Sequence, residues 1–131
     1  MKHAFKQKVY YSDTDSYGVV WHGSYLRWLE MGRVDLCAQT GKTVNELASQ
    51  NVVFPVAEIN IKYKASAKLD DEVLISTEIV DKSRCSITFH QTISDEKQER
   101  VYVEATVKVV AIDKSGKLYR SLPEQLNILF G

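Results

Sequence analysis

The sequence is poor in nearly everything that marks a specialised class of protein. It has two prolines and six glycines in 131 residues, which excludes collagen-like and Gly/Pro-rich low-complexity chains. Its two cysteines, Cys37 and Cys85, lie far apart without CxxC spacing, so neither a disulfide scaffold nor a zinc ribbon is expected. Histidines at 3, 22 and 90 make no metal-ligand spacing, and no metal is expected. Charge of one sign is also lacking: 17 basic residues face 17 acidic ones. Residues 1–65 carry eight basic and six acidic side chains, residues 66–131 nine and eleven, and no Lys/Arg run occurs. Nucleic-acid binding by counterion release and a polybasic membrane patch are both disfavoured. No stretch approaches the ~18 apolar residues of a membrane span. Residues 1–8 lack the apolar core of a signal peptide. No G-x-G-x-x-G or Walker A stretch is present, which disfavours dinucleotide and P-loop enzymes. These absences lead to the expectation of a cytoplasmic protein with reduced thiols, no nucleic-acid partner and no membrane insertion.

What is present is an ordinary globular composition, 44% hydrophobic and 26% charged. The length fits one domain over residues 1–131, able to bury about two-thirds of its unfolded surface. Residues 4–11 read as a strand, and the turn formers Ser12 to Gly18 follow. Over residues 23–40, Tyr25, Trp28, Leu29, Gly32 and Leu36 fall on one face of a helix, with Arg27, Glu30, Arg33 and Asp35 opposite. Gly32 on the apolar face lets that helix lie close to its support, and Gly41 is placed to end it. Thr43 and Glu46 form a capping box for a short second helix reaching about Gln50.

From Val52 the period becomes two. Ala57 to Ala65, Val73 to Ile79, Cys85 to Ile93 and Val101 to Ala111 each place apolar residues at alternate positions. These runs predict half-buried antiparallel strands joined by short turns. The tail from Leu122 is either a short strand or a helical turn. The fold class is therefore α+β, an antiparallel five- or six-stranded sheet wrapped around one long helix. One helix leaves part of the sheet and its edges uncovered, so a homo-oligomer is expected.

Chemistry concentrates in residues 9–30, a carboxylate-bearing turn, an apolar link and a helix start. Unpaired N–H groups and the positive dipole end stabilise an oxyanion at a helix start. A carboxylate on the preceding turn can attack a carbonyl there or activate a water. The bland reading is that Asp13 and Asp15 merely cap turns, the commoner task of Asp in such a segment. By the same standard His22 alone is an ordinary surface histidine.

The pattern Tyr11-x-Asp13-Thr14-Asp15-x-x-Gly18-Val19-Val20-x-His22-x-x-Tyr25-Leu26-x-x-x-Glu30-x-x-Arg33 resembles the signature of the 4-hydroxybenzoyl-CoA thioesterase-type hot-dog family. It is most similar to the acyl-CoA thioesterase branch associated with the Tol–Pal cluster. The resemblance implies a hot-dog fold, a homodimer or homotetramer with the site between subunits, and metal-free hydrolysis of an acyl-CoA substrate. It implies no cofactor, since coenzyme A is part of the substrate. It maps the catalytic carboxylate onto Asp15 and a second catalytic position onto His22. The backbone oxyanion donors map onto His22 and Gly23, while Asp13 is structural. Trp21 departs from the Tyr that often precedes this His, and is expected to reshape the acyl pocket.

Coenzyme A carries phosphates, and Lys82, Ser83, Arg84 and Arg120 are the candidates for holding them, although each alone reads as solvated surface. Glu30 reads as an ion-pair partner of Arg33 or Arg27, and Tyr25 and Trp28 as packing. Tyr63 and Phe54 line a pocket or belong to the core. Both cysteines read as structural, because no base is paired with them. Two alternatives stand beside hydrolysis. One is hydration of enoyl thioesters on the same fold, disfavoured by the seven-residue separation of Asp15 and His22. The other is a non-catalytic acyl-ligand-binding or adaptor protein.

Overall fold

A computed structural model describes residues 2–130 of the chain. The elements run β1 (Lys2–Lys8), a 3-10 turn (Tyr11–Asp13), α1 (His22–Gln39), α2 (Val44–Ser49), β2 (Val56–Tyr63), β3 (Glu72–Lys82), β4 (Ser86–Asp95), β5 (Val101–Val110) and α3 (Glu124–Phe130). The five strands form one antiparallel sheet in the order β1-β3-β4-β5-β2. This is the hot-dog arrangement, α+β, with α1 laid along the inner face of the sheet.

The two periodicities meet in the core. From α1 come Tyr25, Trp28, Leu29 and Leu36. From the sheet come Val73 and Ile75, then Ile87, Phe89 and Ile93, then Val103, Ala105, Val107 and Val109. These are the alternate positions that the sequence marks as one face. The capping box of α2 forms as expected: Thr43 Oγ1 accepts from the Glu46 N–H and Glu46 accepts from the Thr43 N–H.

Two expectations are corrected and one open alternative is resolved. The first strand ends at Lys8 instead of reaching Tyr11, because the Asp13 carboxylate accepts the Tyr10 N–H and draws the chain into a 3-10 turn. Among the described residues there is no sixth strand: the tail forms α3, which buries Leu126 and sets Phe130 edge-on to Phe89 at 6.4 Å between centroids. Finally, β2 is neither half-buried nor joined by a short turn to its partner. It pairs only with β5, at the sheet edge, and all its side chains except Ile61 are exposed.

Two polar devices fix α1. At mid-helix a Cβ on Gly32 would collide with Thr77 Oγ1 and stand 3.0 Å from Gln91 Nε2 and 3.2 Å from Ile75 Cγ2. Only glycine permits this approach. The fully buried Gln91 amide donates to Leu29 O and to Thr77 Oγ1, each at 2.8 Å, and its oxygen accepts from Arg33 at 2.9 Å. Every hydrogen-bonding atom of this amide therefore has a partner, as burial requires. At the helix start the anchor is Asp13, only 3% exposed. One carboxylate oxygen accepts the Tyr10 N–H at 2.9 Å and the other accepts Arg27 of α1 at 2.6 Å. Its main-chain oxygen accepts the Trp21 N–H and the Ser24 hydroxyl. Four bonds thus tie the end of β1 to the beginning of α1.

Gly32→Ala is expected to destabilise the protein by about 2 kcal/mol in urea denaturation, overpacking and a strained Gln91 network outweighing the gain of about 1 kcal/mol in helix propensity. Asp13→Ala is expected to cost about 2 kcal/mol through its two charge-assisted bonds. Arg27→Ala should cost about 1 kcal/mol or less, because removing this half-exposed side chain opens Asp13 Oδ1 to water while the Tyr10 N–H bond to the other oxygen is kept. Equal losses for Asp13→Ala and Arg27→Ala would contradict this division.

Candidate active site

The stretch between the 3-10 turn and α1 folds back on itself. Thr14 and Val20 form an antiparallel bridge, flanked by the Asp15 N–H to Val19 O and the Trp21 N–H to Asp13 O, both 2.9 Å. Gly18, at φ 79°, closes the loop with its N–H on Asp15 O. A second bridge joins Val19 to Lys68, and the Val20 N–H donates to Ala67 O. The Ala67 N–H in turn donates to the buried Tyr25 hydroxyl at 2.9 Å. Burial raises the pKa of that hydroxyl, so it stays protonated. Tyr25 is thus a packing and tethering residue, holding residues 64–71 across the start of α1.

Asp15 is half-buried on this platform. Its Oδ1 accepts the Tyr17 N–H at 2.8 Å, and Oδ2 has no hydrogen bond among the described residues. The turn-capping role therefore exists, and it occupies one oxygen only. A cavity of about 450 Å³ opens beside the carboxylate, lined by Tyr11, Thr14, Ser16, Gly18 and Leu69. The sequence reading missed Tyr11, Ser16 and Leu69 as lining residues. Leu69 carries no local signal for this place, because the bridge to Lys68 alone brings it there.

His22 opens α1, where Trp21 is the N-cap and no side chain caps the first turn. The N–H groups of His22 and Gly23 have no acceptor among the described residues. They leave the positive end of an 18-residue helix available to a developing negative charge. The exposed His22 imidazole lies against Tyr63 of β2, with centroids 4.8 Å apart. No hydrogen bond links it to Asp15 among the described residues. Tyr63 is exposed and packs on His22, so it is not part of the core.

The expected phosphate contacts fall elsewhere. Ser83 closes the β3–β4 hairpin: its Oγ accepts the Cys85 and Ser86 N–H groups and meets Ser86 Oγ at 2.5 Å. The Leu122 N–H donates to Arg84 O, which brings the Arg120 segment beside Lys82 and Arg84. Both arginines are exposed. This cluster sits where Ser86 pairs with Val110, whereas Tyr63 and His22 sit where β2 pairs with Val103. Val103 and Val110 are seven residues apart on β5, roughly 24 Å at about 3.4 Å per residue. One chain alone does not bring these four residues to Asp15.

The expected Glu30 ion pair is not formed, since Arg27 goes to Asp13 and Arg33 to Gln91. Buried acceptors with geometry fixed by the fold outcompete an exposed neighbour on the same helix. Cys37 is buried, donates its thiol to Lys42 O, and has its pKa pushed up to about 11 by burial, so it is no nucleophile near neutral pH. Among the described residues no group of three His, Cys, Asp or Glu could hold a metal ion.

Comparison with known proteins agrees with this geometry. The chain is 34% identical over 119 residues to an acyl-CoA thioester hydrolase, YbgC, of Escherichia coli, covering 91% of this chain and 88% of that protein. It is 31% identical over 128 residues to an acyl-CoA thioesterase of Haemophilus influenzae, covering 97% and 93%. A crystal structure of a probable thioesterase from Bartonella henselae superposes with a TM-score of 0.87 at 32% identity, covering 94% of this chain and all of that one. The profile of the family described as the thioesterase superfamily matches residues 17–102, and the chain belongs to that superfamily.

Proposed function

We propose that the protein is an acyl-CoA thioesterase, hydrolysing a coenzyme A thioester to the free acid and coenzyme A. The observation that carries the reading is one half-free carboxylate, Asp15, on a cavity and joined through the Thr14–Val20 bridge to the chain that opens α1 without a side-chain cap. The thioester oxygen is received by the His22 and Gly23 N–H groups, where the charge of a tetrahedral intermediate develops. Asp15 acts on the carbonyl carbon in one of two ways. As nucleophile it forms a mixed anhydride and expels the coenzyme A thiolate, and water then cleaves the anhydride. As general base it takes a proton from water, which attacks the carbonyl directly. His22 orients the acyl thioester through its ring. No cofactor takes part.

The working form is a homo-oligomer with its site between subunits. β2 offers one free edge and the exposed side chains Val56, Ile59 and Tyr63. Beside it run Leu26 and Val34, exposed on α1. Such an edge invites an antiparallel copy of itself. Antiparallel pairing reverses the partner's strands, so its β3–β4 hairpin comes level with this chain's His22 end. The lateral separation is then three strand spacings, about 14 Å. Lys82, Ser83, Arg84 and Arg120 of one copy thus face the coenzyme A phosphates bound at the Asp15 of the other. A cytoplasmic location goes with this reading, because coenzyme A thioesters are made and used there. No helix among the described residues is long and apolar enough to cross a membrane.

Asp15→Asn should lower thiol release from short, medium, long and benzoyl-type acyl-CoAs by roughly 1,000-fold while circular dichroism stays unchanged. Persistent turnover in that variant would remove Asp15 from the mechanism. A folded wild-type protein inert on every substrate would favour the acyl-binding reading. Ile59→Lys is expected to give a monomer in sedimentation, with turnover reduced together with assembly. A monomer with full turnover would refute the shared site.

A further inference from the structure

His22 and Tyr25 stand three residues apart at the start of α1, so their side chains leave the same face of the helix. The ring of Tyr63 packs against both. Its centroid is 4.8 Å from that of His22 and 6.0 Å from that of Tyr25, within the range of aromatic pairs. The two helix rings are held differently. Tyr25 is buried, and its hydroxyl accepts the Ala67 N–H. The His22 imidazole is exposed and makes no hydrogen bond or ion pair among the described residues. Tyr63 is its only aromatic neighbour among them.

Tyr63 is itself firmly placed. It ends β2 opposite Val103 of β5, and Ile61 and Ile59 precede it opposite Ala105 and Val107. Those three β5 residues are buried in the core, so strand alternation turns Tyr63 to the inner face of the sheet. The chain beyond it is clamped as well: the Lys64 and Ala65 N–H groups both donate to Tyr102 O, at 2.8 and 3.3 Å. An exposed imidazole at a helix start exchanges freely among rotamers. Packed on a ring whose backbone is fixed on both sides, it is kept on one side of the first turn, in register with the sheet.

We infer that Tyr63 is a positioning residue, which holds the His22 imidazole in the orientation used on the acyl thioester. The consequence for turnover rests on the thioesterase reading, whereas the ring contact stands by itself. The Tyr63 hydroxyl makes no hydrogen bond among the described residues, so the role belongs to the aromatic ring. Phenylalanine supplies the same face, and an aliphatic side chain does not.

Two measurements test it. The first follows kcat and KM for acetyl- and benzoyl-CoA. Tyr63→Leu is expected to lower kcat about tenfold while KM moves little, the cost of a misplaced group in the site. Tyr63→Ile, a second ring-free variant suited to a strand, is expected to do the same, and Tyr63→Phe to restore kcat. In a His22→Ala background Tyr63→Leu is expected to cost nothing further, because residues acting through one another are not additive. Equal losses in both backgrounds overturn the inference, and so does full turnover in Tyr63→Leu. The second measurement needs no substrate. With three histidines in the chain, the His22 ring protons are assigned by NMR through their loss in His22→Ala. They are expected to be displaced by the Tyr63 ring current, to lose that displacement in Tyr63→Leu and to keep it in Tyr63→Phe. His22 resonances unmoved by Tyr63→Leu overturn the contact. Displaced His22 resonances in a protein that hydrolyses neither thioester would remove hydrolysis and leave Tyr63 as the residue that orients His22.

Discussion

The arrangement of the site depends on one buried carboxylate. Asp13 accepts a backbone N–H from the chain leaving β1 and a guanidinium from α1, and its main-chain oxygen accepts two more donors at the helix start. Asp15 lies two residues further on, across the bridge that Asp13 begins. The two carboxylates differ only in what surrounds them. The first has both oxygens engaged and is buried, so it is structural. The second gives one oxygen to a turn, and its other oxygen has no hydrogen bond among the described residues. Loss of Asp13 would release the helix start and the Asp15 turn together, because both hang from the same residue.

Much of this was legible in the sequence. Alternation marked the inner face of β3, β4 and β5, and included Gln91 among apolar neighbours. The structure shows why that polar residue belongs there: it is the acceptor for Arg33 and the donor to Leu29 and Thr77. Gly32 was readable as a close approach, and the density of the Tyr11–Arg33 pattern pointed to the family. The illegible parts share one cause, contact between residues distant in sequence. Arg27 looked like solvated helix surface because Asp13, fourteen residues earlier, gives no periodic signal. The Glu30 pairing failed for the same reason, its neighbours being drawn to acceptors off the helix. In β2 the alternation was correctly read, but its burial was not, because burial depends on position in the sheet, and β2 lies at the edge.

The exposed face of β2 gives that misreading a use. An alternating apolar strand left at an edge costs solubility unless something covers it. In the proposed assembly a second copy would cover it and, by reversing strand direction, would bring the otherwise remote basic end of the sheet to the Asp15 end. Stability and substrate binding then make the same demand on assembly. This accounts for a chain that carries its carboxylate at one end of the sheet and Lys82, Arg84 and Arg120 at the other.

Precision at the helix start comes from the middle of the helix. Oxyanion donors act only if they stand within a few tenths of an ångström of the developing charge. A bare helix end tethered by flexible side chains would not hold that position. Here α1 is locked axially at Gly32, where contact with Thr77 and Gln91 leaves no room for sliding, and the lock lies nine residues from Gly23. At 1.5 Å per residue that is roughly 14 Å of rigid helix, which carries the register of the sheet to the His22 and Gly23 N–H groups. The Asp13–Arg27 pair then fixes rotation, since it attaches one side of α1 to the turn that bears Asp15. Asp15 and the His22 and Gly23 N–H groups are thus referenced to the same sheet by two separate polar contacts, and in the proposed reaction the buried Gln91 network would hold that geometry without touching the reacting atoms.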